Sequence, residues 1–221
     1  QFSPQDISNT AWAVAQFHFA NHPLMAALSA TAIAQIGELN AQDLANSVWA
    51  FASISELNLP LLAAIAAASL QILLDFNPQN LTNLAWALAS NRFLDRPLLE
   101  AIACTSRQRM HEFHVQNLSN LVWAFASLSV RDQTLLDDIA LASQHLIREF
   151  ERQGLANTAW AFATLEVLDI PLLCAIADAA KLLLSDFKAQ NISNTVWALA
   201  KLAFCNGPLL DRIAAQPMVS I

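Results

Sequence analysis

A tryptophan recurs every 37 residues along this chain, and no other feature restricts the possible folds as strongly. Each tryptophan follows an Asn by three residues and a Gln by seven. The six are Trp12, Trp49, Trp86, Trp123, Trp160 and Trp197. A fixed period of this length is typical of a repeat array, in which each unit packs only against its neighbours. The sequence therefore predicts a tandem repeat.

Each repeat begins with the signals of a helix, here called helix A. An apolar residue is followed by a position that suits an N-cap, occupied by Ser3, Asn40 and Asn77 in the first three repeats. Pro4 and Pro78 come next, at the first helical turn, where a missing N–H costs nothing. Helix A is therefore expected to start at the same place in every unit. The repeats are 2–38, 39–75, 76–112, 113–149, 150–186 and a shortened 187–221.

A second helix, helix B, is predicted eleven residues after each tryptophan, where Pro-Leu-Leu occurs in most units. The prolines are Pro23, Pro60, Pro97, Pro171 and Pro208, and Thr134 replaces them once. Alternating strand patterns are absent. The predicted fold is all-α: a single right-handed α-solenoid of six helix–turn–helix repeats over residues 1–221, expected to be part of a longer protein.

The invariant amides form a ladder along helix A. Residues are numbered below by their distance from the tryptophan of their repeat, so the Gln is at −7 and the Asn at −3. Two interpretations fit: the amides bridge consecutive helices A, or they hydrogen-bond a ligand. Near-invariance favours the structural role. The ladder asparagines are Asn9, Asn46, Asn83, Asn120, Asn157 and Asn194.

Positions −6 and +4 flank this ladder and differ between repeats, so they are the predicted determinants of ligand specificity. At −6 the candidates are Asp6, Asp43, Asn80, Asn117 and Asn191, with Gly154 in the fifth repeat. At +4 they are Gln16, Ser53, Ser90, Ser127, Thr164 and Lys201. The Ala at +1 is expected to keep this surface low and open, and the tryptophans are interpreted as core anchors.

Catalysis and metal binding are not expected. His18 and His22, and His111 and His114, are paired at helical spacing but lack a third ligand, so no metal site is predicted. No nucleophile–base pattern or glycine-rich loop occurs, and no cofactor is implied. The three separated cysteines indicate reduced thiols. We expect a protein that is not an enzyme.

The small number of charged residues indicates that part of the surface is covered by other molecules. Charged residues make up 13% of the chain, against roughly 25% in an ordinary soluble domain. All 11 Lys and Arg lie at or after Arg92. The first two repeats, which contain few charges and no Lys or Arg, are therefore the expected contact surface for other protein subunits. No apolar stretch is long enough to span a bilayer without interruption by polar residues or Pro, so no membrane span is predicted.

Two segments carry a family resemblance: FNPQNLTNLAWALA at 76–89 and GLANTAWAFA at 154–163. They resemble the octotricopeptide repeats of algal organelle proteins and the related 37-residue heptatricopeptide repeats. The resemblance covers essentially the whole chain. It implies a helical-pair solenoid that binds RNA, single-stranded or ribosomal, in a chloroplast or mitochondrion.

Two functions follow as hypotheses. The first is a non-catalytic RNA-binding protein of organellar RNA metabolism or translation that uses polar positions of helix A. The second is a protein–protein scaffold subunit of a large organellar complex.

Overall fold

A computed structural model of the chain describes residues 2–18, 21–54 and 58–215. Within these ranges every regular element is helical and no strand occurs. The predicted all-α helical-repeat fold is confirmed. The chain divides into two compact units, Gln1–Arg109 and Met110–Ile221. The continuity of a single right-handed array stays a prediction.

Each unit contains three helix pairs in the order A, B. The first unit comprises α1 (Pro4–Gln16), α2 (His22–Ala34), α3 (Ala41–Ser53), α4 (Leu59–Gln71), α5 (Pro78–Ser90) and α6 (Arg96–Gln108). The second comprises α7 (Val115–Ser127), α8 (Gln133–His145), α9 (Arg152–Thr164), α10 (Ile170–Leu183), α11 (Ala189–Lys201) and α12 (Gly207–Ala214). No helix in the described ranges has the length and apolar character needed to cross a membrane.

Helix A starts where the sequence predicts. The side chains of Ser3, Asn40 and Asn77 accept the N–H of the residue three places on, at 2.9–3.2 Å. The residue at −6 accepts the N–H of the cap in return, which completes a capping box. Two of the four free N–H groups at this end are thereby satisfied.

Helix B has a cap that the sequence analysis missed. An Asn or Asp nine residues after the tryptophan accepts the N–H of the residue three places on, at 2.8–3.0 Å. The proline is therefore the second residue of the helix instead of its start. The cap residues are Asn21, Asn58, Asp95, Asp132, Asp169 and Asn206.

Helix A ends in a left-handed residue at +6 in each repeat where that position is described. These residues are His18, Arg92, Ser129, Glu166 and Ala203, with φ between 50° and 56°. In the last four of them, the N–H at +7 donates to the carbonyl at +2 at 2.9 Å. This is the Schellman arrangement, which usually has Gly at the left-handed position. The absence of Gly explains why the sequence did not indicate it.

Each inner helix A is covered on three sides. In the first unit α3 packs between α1 and α5 and also against α4; in the second, α9 packs between α7 and α11 and against α10. The side towards helix B carries the core residues at −5, −1 and +2, for example Leu155, Ala159 and Phe162, all buried. Only the side opposite helix B remains open to a ligand.

Candidate nucleic-acid interface

The open side of helix A carries positions −7, −3, 0 and +4, here called the open face. An α-helix turns 100° per residue, so these positions fall within an arc of about 60°. The Gln at −7 is exposed in all six repeats, and the Asn at −3 is exposed or half-buried. The predicted polar ladder is therefore at the surface.

The tryptophans belong to this face, and the prediction that they are core anchors is wrong. Trp12 and Trp197 are 45% and 46% exposed, and the other four are half-buried. Trp49 and Trp86 contact each other, with ring centroids 6.4 Å apart and planes tilted by 35°. The physical reason is angular: position 0 lies about 20° from the exposed Gln and far from the core positions.

The alanines at +1 were also placed on the wrong face. Ala50, Ala87, Ala124, Ala161 and Ala198 are completely buried. Position +1 lies about 100° from the tryptophan, outside the open face. The small side chain therefore allows close helix packing and does not keep a ligand surface open.

The candidates at −6 are capping residues. Asp43, Asn80, Asn117 and Asn191 are buried, while Asp6 is exposed. Their side-chain oxygens accept the N–H of the N-cap residue at 2.9–3.4 Å. The residue type at −6 is therefore restricted by helix capping. This weakens the prediction that these side chains determine specificity for bases.

The candidates at +4 differ from one another in exposure and in hydrogen bonding. Gln16 and Ser90 are exposed, whereas Ser53 Oγ donates to the carbonyl of Trp49 at 2.7 Å. The hydroxyl oxygens of Ser127 and Thr164 are buried.

Lys201, the sixth residue at +4, pairs with Glu166 through an Nζ–Oε1 distance of 2.8 Å. This contact lowers the pKa of the Glu166 carboxyl, by hydrogen bonding first and by charge second. The pair joins helix A of the last repeat to the end of helix A of the repeat before it. Gln16 and Ser90 are therefore the +4 residues that are exposed and form no ion pair of this kind.

The hypothesis that the ladder amides bridge consecutive helices A stays a prediction. A hydrogen bond between two ladder amides lies within α5, where Gln79 Nε2 donates to Asn83 Oδ1 at 2.8 Å. In the second unit the amides instead line a polar cleft of about 160 Å³. Its lining residues are Arg152, Gln153, Asn157, Lys188, Gln190, Asn191 and Asn194.

This cleft combines amides with positive charge. It lies at the N-terminal ends of α9 and α11, where the helix dipoles favour anions. Arg152 is the first residue of α9 and Lys188 is the N-cap of α11. Neither cation forms an ion pair within the described residues. The arrangement suits a polar, negatively charged ligand such as a phosphodiester.

The sequence places every Lys and Arg in the last four repeats, but these two were not singled out as site residues. A signal for them exists: Arg152 and Lys188 stand one and two places before the ladder glutamines of the last two repeats. Among the described residues, no group of three or more His, Cys, Asp or Glu side chains is placed to hold a metal ion. The three cysteines are free and exposed.

Paired helices with a repeated face of tryptophan and amide side chains define a helical-repeat protein. The chain belongs to the RNA-editing substrate-binding complex 6 protein family, whose sequence model matches residues 1–133. No curated protein matches the chain. The family supports a helical-repeat, RNA-related protein, and the narrower octotricopeptide or heptatricopeptide assignment stays a prediction.

Proposed function

We propose that the chain is a non-catalytic, RNA-binding subunit of an RNA-editing complex in a chloroplast or mitochondrion. The observation that carries this proposal is the cleft between α9 and α11, where ladder amides and two cations meet beside a half-exposed tryptophan. The family description names a complex that binds an editing substrate, which supports RNA as the ligand. The binding of single-stranded RNA needs no cofactor.

Three kinds of side chain are proposed to contact different parts of the RNA. Bases stack on tryptophan rings, a contact that tolerates any base because every base has a π-face. Trp197 is well placed for this, since it is 46% exposed on the same helix as the cleft residues Gln190 and Asn194. The amides of the ladder hydrogen-bond base edges or riboses. Arg152 and Lys188 contact phosphate.

The charge distribution favours phosphate contacts in the last four repeats. Every Lys and Arg lies at or after Arg92, so the first two repeats offer no cation to a phosphate. Affinity for RNA is therefore expected to be salt-dependent with a shallow slope, set by a few cations. A long run of phosphate contacts is not expected.

The test is RNA binding by the purified chain at two salt concentrations. The probes are organellar transcripts, a matched random single-stranded pool and a duplex of the same length. Trp197→Ala is expected to weaken single-strand binding by roughly 5- to 150-fold, since a stacked base contributes about 1–3 kcal/mol. Phe17→Ala, a change of an aromatic residue that is 83% exposed outside the open face, is the control. Equal binding by both variants, or no salt-sensitive binding at all, would refute the proposal.

A second candidate function is a protein scaffold within such a complex. Helices α2 and α4 contain no Asp, Glu, Lys or Arg, and their exposed sides are largely Ala and Leu. Leu59, the first residue of α4, and Leu74, shortly after its end, are exposed. A surface without charge is more typical of a protein contact than of RNA binding. Leu59→Arg would then release a protein subunit that co-purifies with the chain while leaving RNA affinity unchanged.

A further inference from the structure

One side chain of the cleft between α9 and α11 is buried with a hydrogen-bond donor to spare. Asn191 lines the cleft and is only 9% exposed. Its side-chain oxygen accepts the N–H of Lys188 at 3.1 Å, and this bond fixes which end of the amide group caps α11. The amide nitrogen, Nδ2, donates to no acceptor among the described residues. A buried donor without an acceptor is costly, so Asn191 calls for an acceptor from outside the chain.

The first interface between helices A shows how a side chain at −6 is satisfied inside the fold. Asp43, at −6 of α3, caps its own helix and also accepts a 2.7 Å hydrogen bond from Ser8 Oγ, at −4 of α1. The residue at −4 of α9 is Ala156, which has no polar side-chain atom. The preceding helix therefore gives Asn191 no partner of this kind.

The other groups of the cleft suit an anion with several acceptor atoms. Arg152 and Lys188 add positive charge, and their side chains have donors only. The described residues that line the cleft include no Asp or Glu. The cleft holds about 160 Å³, whereas pockets for whole small-molecule ligands hold roughly 300 Å³ or more. It therefore admits a phosphate group with part of its ribose, and excludes a complete nucleotide.

We propose that this cleft is a binding site for a phosphate group and that Asn191 Nδ2 is its buried donor. The inference rests on the proposed function, in which the phosphate belongs to the bound RNA. It adds a specific contact to a general attraction: the two cations attract the strand, and the fixed amide orients one phosphate oxygen. Donors held in place in this way select an acceptor by position as well as by charge.

Asn191→Asp tests the donor while keeping the cap. Asp6 and Asp43 occupy the same position in the first two repeats, and each accepts the N–H of its N-cap residue. The variant is therefore expected to fold, which circular dichroism checks. Its carboxylate replaces the donor and repels phosphate. The affinity for single-stranded RNA should fall by roughly 10- to 150-fold, as expected for the loss of a hydrogen bond to a charged group.

Asn80→Asp is the matched control. Asn80 is the equivalent residue of α5; it is buried and accepts the N–H of Asn77 at 3.3 Å. The residue at −4 of the preceding helix is again an alanine, Ala45. The positions that correspond to Arg152 and Lys188 are here Ala41 and Asn77, which carry no charge. The same substitution at Asn80 should therefore leave the affinity for RNA unchanged.

A direct measurement does not depend on the variants. In a proton–nitrogen correlation spectrum of the isotope-labelled chain, the side-chain amide signal of Asn191 is the one that Asn191→Asp lacks. Inorganic phosphate should shift this signal, and chloride at the same ionic strength should not. RNA with and without a terminal phosphate identifies the source of the group. Equal affinity assigns the site to a phosphodiester within the strand, and a gain that Asn191→Asp abolishes assigns it to the terminal phosphate.

The outcomes separate this proposal from the proposed function. If Asn191→Asp binds RNA as tightly as Asn80→Asp does, and phosphate leaves the Asn191 signal unchanged, the cleft is not a phosphate site. RNA binding by the unmodified chain would then still support the proposed function. If the unmodified chain binds no RNA but phosphate shifts the signal, the phosphate site is supported and the proposed function fails.

Discussion

Ser8 Oγ donates a 2.7 Å hydrogen bond to Asp43 Oδ1, and this bond joins the first repeat to the second through two buried side chains. The same carboxyl also caps its own helix, because Asp43 Oδ2 accepts the N–H of Asn40 at 3.4 Å. One residue therefore connects helix capping to the packing of successive helices A. A buried carboxylate that loses a donor is destabilising, because its desolvation is no longer offset.

Ser8→Ala is expected to lower the free energy of unfolding by about 1.5–3 kcal/mol, the contribution of a hydrogen bond to a charged group. Urea unfolding followed by circular dichroism measures the change. Thr10→Ala is the control, since the Thr10 hydroxyl donates only to the Asp6 carbonyl of its own helix. Equal effects of the two substitutions would show that the bond between repeats contributes nothing specific.

Glycine at the left-handed end of helix A is expected to stabilise the chain. Ala203 has φ of 51°, a conformation that costs an L-residue about 1 kcal/mol relative to Gly. Ala203→Gly should therefore raise the free energy of unfolding by about that amount. Ala200→Gly, three residues earlier in the exposed interior of α11, should lower it by about 1 kcal/mol. A destabilising effect of both changes would contradict the assigned cap.

The first capping box is expected to depend on pH. Hydrogen bonds from the side chain and backbone of Ser3 hold the pKa of the Asp6 carboxyl below its ordinary value of 3.8. A depressed pKa stabilises the fold above the ordinary value, and this stabilisation is lost as the pH falls through the lowered pKa. Asp6→Asn keeps the acceptor and removes the titration.

The measurement for this prediction is the difference between the urea midpoints of the original chain and the Asp6→Asn variant. The original chain should be the more stable of the two at about pH 6, and the difference should be smaller at about pH 2. A difference that is the same at both pH values would show that the Asp6 carboxylate makes no pH-dependent contribution.

Local signals in the sequence were sufficient for much of the fold. Ser3, Asn40 and Asn77 are correctly predicted as caps, because capping depends on residues three places apart. The cap of helix B was missed although an Asn or Asp recurs nine residues after every tryptophan. The left-handed residues, such as Ala203, could not be predicted, because none of them is Gly.

The candidate site was harder to predict, because it depends on which sides of helix A are covered. The sequence analysis predicted that Trp197 is buried and that Ala198 lies on the open surface, and both are the reverse in the structure. A helix packed on three sides buries small residues against its neighbours and leaves a large ring at the edge. The exposure of each position depends on the neighbouring repeats, so it cannot be predicted from the hydrophobicity of one helix alone.

The cations of the cleft give the sharpest prediction about RNA. A cation that neutralises one phosphate of a single strand contributes about −0.7 to the slope of log affinity against log salt concentration. The double variant Arg152→Gln with Lys188→Gln should therefore flatten this slope by about 1.4 and weaken binding at low salt. Arg131→Gln is the matched control, since Arg131 lies between α7 and α8 and donates to Gln133 at 2.9 Å. A fluorescence titration of a single-stranded RNA at several salt concentrations gives both slopes. If the control flattens the slope as much as each cleft substitution does, RNA does not occupy the cleft, and the attraction is spread over the surface of the chain.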